Sequence, residues 1–159
     1  MKPKKLLILL ITLLFTISMC TTAYGSSYED QYIISRENTY LSDGTRIETI
    51  IYKSNIDTYG SNTTTGTKRA TYYSANNEAL WYVSVTGTFT YSGHSSLCTG
   101  ASVGAGSYVS NWKIKDKSST YSGNSATGTA TGRFYVGITP IQDSTLSVIL
   151  YCDIDGNFS

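Results

Sequence analysis

The sequence predicts an all-β protein, an antiparallel immunoglobulin-like β-sandwich preceded by a β-hairpin and a cleaved signal peptide. The strongest observation is the stretch from 80 to 91, LWYVSVTGTFTY, where large apolar side chains alternate with serine and threonine. This period of two is typical of a half-buried strand. The chain is also rich in serine, threonine, tyrosine and glycine, which favour strands and tight turns. No helical period occurs beyond the N-terminal segment.

The first 25 residues have the pattern of a secretory signal peptide. Three lysines precede an apolar run from 6 to 19, and Ala23-Tyr24-Gly25 places small residues before the expected cleavage point. Because this run is shorter than the roughly 20 residues that span a bilayer, we expect export with no stable membrane span after cleavage. Lipidation of Cys20 is the alternative, although Met19 is bulkier than the small residue that precedes a lipidated cysteine.

The exported part, residues 26–159, has the size of one domain. The whole chain has 12 lysines and arginines against 11 aspartates and glutamates, and removal of the signal lysines leaves a slightly acidic balance. Such a balance gives no electrostatic attraction to nucleic acid. We therefore expect an extracellular protein with no nucleic-acid partner.

Residues 26–54 are predicted to form the N-terminal β-hairpin. Ser42-Asp43-Gly44 separates two β-like runs, and Asp-Gly in that position is a strong hairpin signal. The second arm, residues 46–53, is apolar on both faces, which suits either a paired inner strand or a flap over the sandwich. Residues 55–66 offer almost nothing to bury and predict a flexible connector.

Residues 67–159 are predicted to form the β-sandwich domain. After the stretch from 80 to 91, further strands are expected over 108–117, 125–138 and 145–153. The strand from 125 has alanine and glycine on the face of Phe134, which would leave room for a tryptophan opposite them, either Trp81 or Trp112. The predicted core consists of Trp81, Val83, Val85, Phe89, Trp112, Ile114, Phe134, Val148 and Leu150.

Two cysteines, Cys98 and Cys152, remain after signal cleavage. An even cysteine count in an exported protein predicts a disulfide. On the chain-entropy model this bond would stabilise the fold by about 4 kcal/mol. The alternative is a pair of free thiols, one of them reactive.

Several segments occur in a distinctive order: FTYSG, then Cys98, then an NWKIK strand, then LYCDIDGN. In this order the region 68–159 resembles a group of small exported proteins of Gram-positive bacteria. The resemblance implies secretion and a β-sandwich. The group has no established activity, so the resemblance carries over no functional residue.

No catalytic, metal or cofactor motif stands out in the sequence. His94, the single histidine, lies in a serine-rich turn; a hydrolase would need it as a general base oriented by an acid such as Asp116. An exposed turn residue is the simpler interpretation. One histidine and two paired cysteines cannot supply the three or four ligands of a zinc site. The DIDGN segment resembles the first half of a calcium loop, but no acidic residue follows to close it, and a turn explains it as well.

Tyrosine, with 14 residues, is too abundant for one core, so some rings must be exposed. Exposed tyrosines among small polar residues suit the binding of glycans or protein surfaces, although β-propensity alone also places tyrosine on exposed strand positions. The candidates are Tyr40, Tyr52, Tyr59, Tyr72, Tyr73, Tyr82 and Tyr121.

We therefore expect a secreted, non-enzymatic protein that binds a cell-surface glycan or protein. A secreted toxin or bacteriocin-like effector that acts on membranes or competing cells is one alternative. In it, the apolar arm around 47–52 and the segment after it form a releasable hairpin that inserts into membranes or assembles with other copies. An extracellular hydrolase that uses His94 or a carboxylate pair is the second.

Overall fold

The computed structural model describes residues 31–54 and 62–159, and every regular element in these ranges is a strand. The expected signal peptide, its cleavage point and Cys20 lie outside the described residues, as do residues 26–30 of the predicted hairpin and 55–61 of the predicted connector. The strands are β1 (Gln31–Tyr40), β2 (Arg46–Ser54), β3 (Thr63–Tyr73), β4 (Ala79–Tyr91), β5 (Ser96–Ser107), β6 (Trp112–Ser122), β7 (Ser125–Val136) and β8 (Thr139–Tyr151).

The strands form two antiparallel sheets, which confirms the all-β expectation and is consistent with a sandwich. Sheet A has the order β1-β2-β3-β4-β5 and sheet B the order β6-β7-β8. Each strand therefore pairs with its neighbours in sequence, as in a meander. Immunoglobulin-like topology is not confirmed, because its Greek-key connections place non-consecutive strands side by side.

The two strands of the predicted hairpin continue sheet A. β2 pairs with β3 throughout residues 46–53. β3 begins at Thr63, so residues 63–66 of the predicted connector are strand. Cross-strand threonines support this pairing with β4, for example Thr67 and Thr86, whose hydroxyl oxygens lie 2.8 Å apart. Of the connector threonines, Thr65 lies opposite Thr88 with hydroxyl oxygens 3.3 Å apart, whereas the buried hydroxyl of Thr64 has no partner among the described residues.

β5 is a strand that the sequence does not signal, because its glycines weaken the strand pattern. Side chains of β4 cover two of these glycines, Gly104 and Gly106. A Cβ at Gly104 would lie 2.7 Å from Oγ of Ser84, and one at Gly106 would lie 2.8 Å from the Tyr82 ring. The neighbouring strand therefore supplies the packing that β5 lacks.

The core lies between the two sheets and is centred on β4. Trp81 of β4 is fully buried and stacks on Trp112 of sheet B with ring centroids 6.1 Å apart. A Cβ at Gly132 would lie 2.6 Å from the Trp81 ring, so the thin face of β7 makes room for this tryptophan. Of the predicted core residues, Ile114 and Phe134 are partly buried against the core. The others are buried: Trp81, Val83, Val85, Phe89, Trp112, Val148 and Leu150.

Sheet B covers only part of sheet A. The packing between sheets is concentrated on β3, β4 and β5, and the inner face of β1 is mostly exposed. After β8 the chain turns back, and Phe158 bridges to Cys152. The Phe158 ring lies 5.6 Å from the Phe89 ring, so this last segment closes one side of the uncovered part of sheet A.

Candidate binding face

The outer face of sheet A carries arginine and tyrosine side chains in register. Tyr40, Arg46 and Tyr73 are direct cross-strand neighbours on β1, β2 and β3. Because side chains alternate along a strand, these residues face away from the core. We call this surface the Tyr–Arg face, and it consists of Arg36, Tyr40, Arg46, Glu48, Arg69, Tyr73, Tyr82 and Tyr108.

Arg69 lies between two rings of this face. Its guanidinium carbon is 3.7 Å from the Tyr82 ring centroid and 5.8 Å from that of Tyr108. Nη2 donates a hydrogen bond to the Tyr108 hydroxyl, while the buried Nε has no partner among the described residues. Burial raises the pKa of Tyr108, and the positive charge of Arg69 offsets part of that increase. The result is a cation fixed against a flat aromatic surface.

Arg46 is held in place by four neighbours. Its guanidinium carbon lies 3.6 Å from the Tyr73 ring centroid. Nε donates to Oδ1 of Asn77 at 2.9 Å and Nη1 donates to Oδ1 of Asn38 at 2.7 Å. A carboxylate oxygen of Glu48 is 3.8 Å from Nη1. Such a guanidinium is preorganised, because most of its rotamer freedom is already lost.

The face carries an excess of positive charge. Arg36, Arg46 and Arg69 stand against one carboxylate, that of Glu48, which also accepts a hydrogen bond of 3.1 Å from the Tyr73 hydroxyl. Arg36 is 3.7 Å from Glu48, and its side chain is 54% exposed. The strands of this face therefore present a cationic and aromatic surface.

The predicted tyrosines separate onto different surfaces. Tyr73 and Tyr82 belong to the Tyr–Arg face, together with Tyr40, which is 74% exposed. Tyr72 packs against Trp81 and Trp112 in the core. Of the remaining candidates, Tyr52 is partly buried on the outer face of β2, Tyr121 is exposed on sheet B, and Tyr59 lies outside the described residues.

Sequence reasoning missed the arginines and Tyr108 of this face. Arg46 and Arg69 stand at positions whose alternation with Ile47 and Ala70 places them on the solvent side. This alternation is the sequence feature from which the exposure of both arginines could have been predicted. The pairing of each arginine with a particular tyrosine depends on strand register, which a single sequence does not specify.

The structure does not assemble a catalytic site around His94. This residue is exposed in the turn between β4 and β5 and makes no hydrogen bond or ion pair with a described residue. Asp116, its proposed orienting acid, lies on β6 and is 4.0 Å from Lys115. The two parts of the hypothetical hydrolase site are therefore not joined.

The DIDGN segment forms a self-contained turn. Oδ1 of Asp153 accepts hydrogen bonds from the backbone N–H groups of Asp155 at 2.9 Å and Asn157 at 2.8 Å. The hydrogen bonds that Asn157 donates from its backbone and its side chain are the main cause of a lowered pKa of Asp153. Within residues 31–54 and 62–159, no group of three or more histidine, cysteine or acidic residues is placed to hold a metal ion.

The predicted disulfide is not formed in this structure, where Cys98 and Cys152 are both buried free thiols. The thiol of Cys98 donates to the carbonyl oxygen of Gly100 at 3.4 Å, and that of Cys152 donates to the carbonyl oxygen of Asp153 at 3.5 Å. Burial raises the pKa of both thiols. The core accommodates the two residues as small apolar side chains.

The comparisons with known proteins give no relative. The chain matches no protein-family model, no curated protein and no solved structure. The described ranges also contain no helix with the length and apolar character needed to cross a membrane.

Proposed function

We propose that this protein is an exported, non-enzymatic binding protein whose Tyr–Arg face recognises an acidic glycan at a cell surface. The observation that carries the proposal is Arg69, whose guanidinium lies 3.7 Å above the Tyr82 ring beside Tyr108. A cation next to flat aromatic area is suited to a sugar ring that bears a carboxylate.

The charge of the face favours an acidic ligand over a neutral one. On the Tyr–Arg face three arginines stand against one glutamate, Glu48, and the Arg36 side chain is more than half exposed. Guanidinium groups form paired hydrogen bonds with carboxylates and phosphates. Tyrosine rings supply rigid apolar area with little loss of conformational entropy. Both features favour binding of a stiff, polar chain along the sheet.

Export is part of the proposal and rests on the sequence. The basic start, the apolar run and the small residues before Ser26 support cleavage after Gly25. The resemblance of residues 68–159 to small exported proteins of Gram-positive bacteria supports the same destination. An intact mass that begins at Ser26 after expression in a Gram-positive host would test this part independently of binding.

Sedimentation with insoluble polysaccharide tests the binding. The exported protein is mixed with cross-linked polygalacturonate or with cross-linked dextran, which is neutral, and the bound fraction is measured. We expect binding to polygalacturonate alone, with affinity that falls as salt increases from about 0.15 M to about 1 M. Arg36→Gln and Arg69→Gln should each weaken binding by about tenfold.

Arg133→Gln is the matched control, because Arg133 lies on sheet B and is paired with Asp143. Melting temperatures of all variants show whether each remains folded. Equal binding to dextran, or an equal loss in the Arg133 variant, would contradict the proposal. Absence of binding to the acidic polysaccharide by the folded wild-type protein would also contradict it.

The two alternative functions receive less support. A membrane-inserting hairpin requires β1 and β2 to leave sheet A, although β2 is paired with β3 along residues 46–53. The form of the hydrolase that uses His94 requires this residue to meet an acid, and the His94 side chain has no partner among the described residues. Neither alternative makes use of the Tyr–Arg face.

A further inference from the structure

Lys68 occupies an unusual position on the inner face of β3. Its cross-strand neighbours are Ile51 on β2 and Val85 on β4, which are 5% and 0% exposed. Lysine is rarely found among such residues unless its ammonium group is paired. The ammonium group of Lys68 nevertheless makes no hydrogen bond or ion pair within residues 31–54 and 62–159. Lys53, also on the inner face, differs because it donates to the carbonyl oxygen of Gly156 at 3.4 Å.

Lys68 borders a recess of about 320 Å³ between β1, β2, β3 and the segment that follows β8. This volume lies at the small end of the range for ligand pockets, about 300–1,000 Å³. The uncovered part of sheet A forms its floor. The residues that line it are Ser35, Glu37, Thr49, Ile51, Lys68, Phe158 and Ser159.

Four polar side chains of this recess have no hydrogen-bond or ion-pair partner within residues 31–54 and 62–159. They are those of Ser35, Glu37, Thr49 and Lys68. Several hydroxyl groups on the outer faces are paired across strands. These pairs are Thr65–Thr88 and Thr67–Thr86 on sheet A, and Thr129–Ser147 and Thr131–Thr145 on sheet B. A concave site with convergent, unused donors and acceptors is the usual form of a small-molecule site.

We propose that this recess binds a small zwitterionic molecule, such as a free amino acid or a short peptide. The ligand's carboxylate meets the ammonium group of Lys68, and its ammonium group meets the carboxylate of Glu37 at the exposed side. Lys68 and Glu37 form no ion pair with each other, so both charges are available to a ligand between them. Ile51 and Phe158 provide apolar contacts for a short side chain, and Ser35 and Thr49 provide hydroxyls.

This site is separate from the Tyr–Arg face. Lys68 and Arg69 are consecutive, so their side chains lie on opposite faces of sheet A. The proposal therefore does not depend on glycan binding. A ligand in the recess can be detected whether or not the outer face binds polysaccharide.

Titration with dialanine, followed by nuclear magnetic resonance of the isotope-labelled exported protein, tests the proposal. We expect saturable shifts of the backbone amide signals of Ser35, Ile51 and Lys68. The C-terminal amide of dialanine lacks the carboxylate, and N-acetyl-dialanine lacks the ammonium group. Each analogue should bind about tenfold more weakly or worse, because each leaves one charged group of the protein unpaired.

Two variants show which protein side chain binds which charged group of the ligand. Lys68→Met should lower the affinity for dialanine by about tenfold or more. It should also lower the affinity for N-acetyl-dialanine, which keeps the carboxylate. Glu37→Gln should lower the affinity for dialanine but leave the affinity for N-acetyl-dialanine, which lacks the ammonium group, unchanged. Lys113→Met on the outer face of sheet B is the matched control and should bind like the wild type.

Any of three results would overturn the proposal. The first is the absence of saturable shifts with dialanine in the folded wild-type protein. The second is equal affinity of the wild-type and Lys68→Met proteins for dialanine, and the third is shifts confined to the Tyr–Arg face. Methionine is compatible with the apolar neighbours of Lys68, so we expect this variant to fold, and its amide spectrum verifies that.

Discussion

Arg133 and Asp143 show how a single pair of residues can be defined by cross-strand register. They stand directly opposite each other on β7 and β8. Arg133 donates two hydrogen bonds to the Asp143 carboxylate, of 2.6 and 2.8 Å, and Lys115 donates a third of 3.2 Å. These donors, chiefly Arg133, hold the pKa of Asp143 well below its usual range.

Asp143→Asn should therefore make stability less dependent on pH in the acid range. An aspartate in the unfolded chain has a pKa of about 4. The pKa of Asp143 in the native protein is lower, so the unfolded chain binds the proton first as pH falls. The contribution of the pair is present above about pH 4 and is lost as pH falls through the native pKa. Urea unfolding midpoints at a series of acidic pH values measure this dependence.

Asp116→Asn is the control for this pH series, because Asp116 is 71% exposed and lies 4.0 Å from Lys115. Its midpoints should follow the wild-type curve in shape. If the Asp143 variant also follows the wild-type curve over the acid range, the hydrogen bonds from Arg133 do not stabilise the native state as described. The pair is exposed, so we expect a modest difference.

At the scale of elements, β7 determines how closely the two sheets approach. Its inner face carries Ala126, Gly128, Ala130 and Gly132, all of them buried. A Cβ at Gly128 would lie 2.9 Å from that of Val85. The larger side chains of β4 thus fill the space that β7 leaves empty, as complementary packing requires.

Gly132→Ala should lower the free energy of unfolding by about 1–3 kcal/mol, because the added methyl group overlaps the Trp81 ring. The new Cβ would lie only 2.6 Å from the nearest ring atom. Gly100→Ala on β5 is the matched control, since its Cβ would meet nothing within 4 Å. Urea unfolding monitored by tryptophan fluorescence gives both values. Equal stability of the two variants would show that Trp81 moves aside without cost.

At the scale of the whole molecule, the two cysteines lie at positions that connect the sheets. Cys98 is on β5 of sheet A, and Cys152 directly follows β8 of sheet B. Both N–H groups donate to the turn between β6 and β7, Cys98 to the carbonyl oxygen of Gly123 at 2.7 Å and Cys152 to that of Asn124 at 3.0 Å. The cysteines therefore report on the integrity of the assembled sandwich.

The native protein should react slowly with iodoacetamide at neutral pH, because both thiols are buried and burial raises their pKa. Unfolding in urea should allow both to react, and mass spectrometry counts the attached groups. In protein that begins at Ser26, and so lacks Cys20, the variants Cys98→Ser and Cys152→Ser each keep one thiol and show which cysteine reacts at which rate. If unfolded wild-type protein reacts only after a reductant is added, the two sulfurs are joined as the sequence predicted, and the free thiols of this structure are not the state of the isolated protein.

Much of the architecture follows from local patterns in the sequence. Alternation in β4 identifies Trp81, Val83, Val85 and Phe89 as core, because a strand presents every second side chain to the same face. The Asp43-Gly44 turn is equally local, and Gly44 adopts a positive φ of 83° that glycine tolerates best. Such features depend on neighbouring residues alone, so one sequence is sufficient to predict them.

The sequence by itself thus determined the strand character of this protein, its central strand and most of its core. Only the tertiary structure decided that β5 is a strand, that Arg69 lies on Tyr82, and that Lys68 faces an uncovered recess. Each of these depends on register between strands or on how far sheet B extends over sheet A. Those properties arise from packing between distant parts of the chain, and a local periodicity carries no information about them.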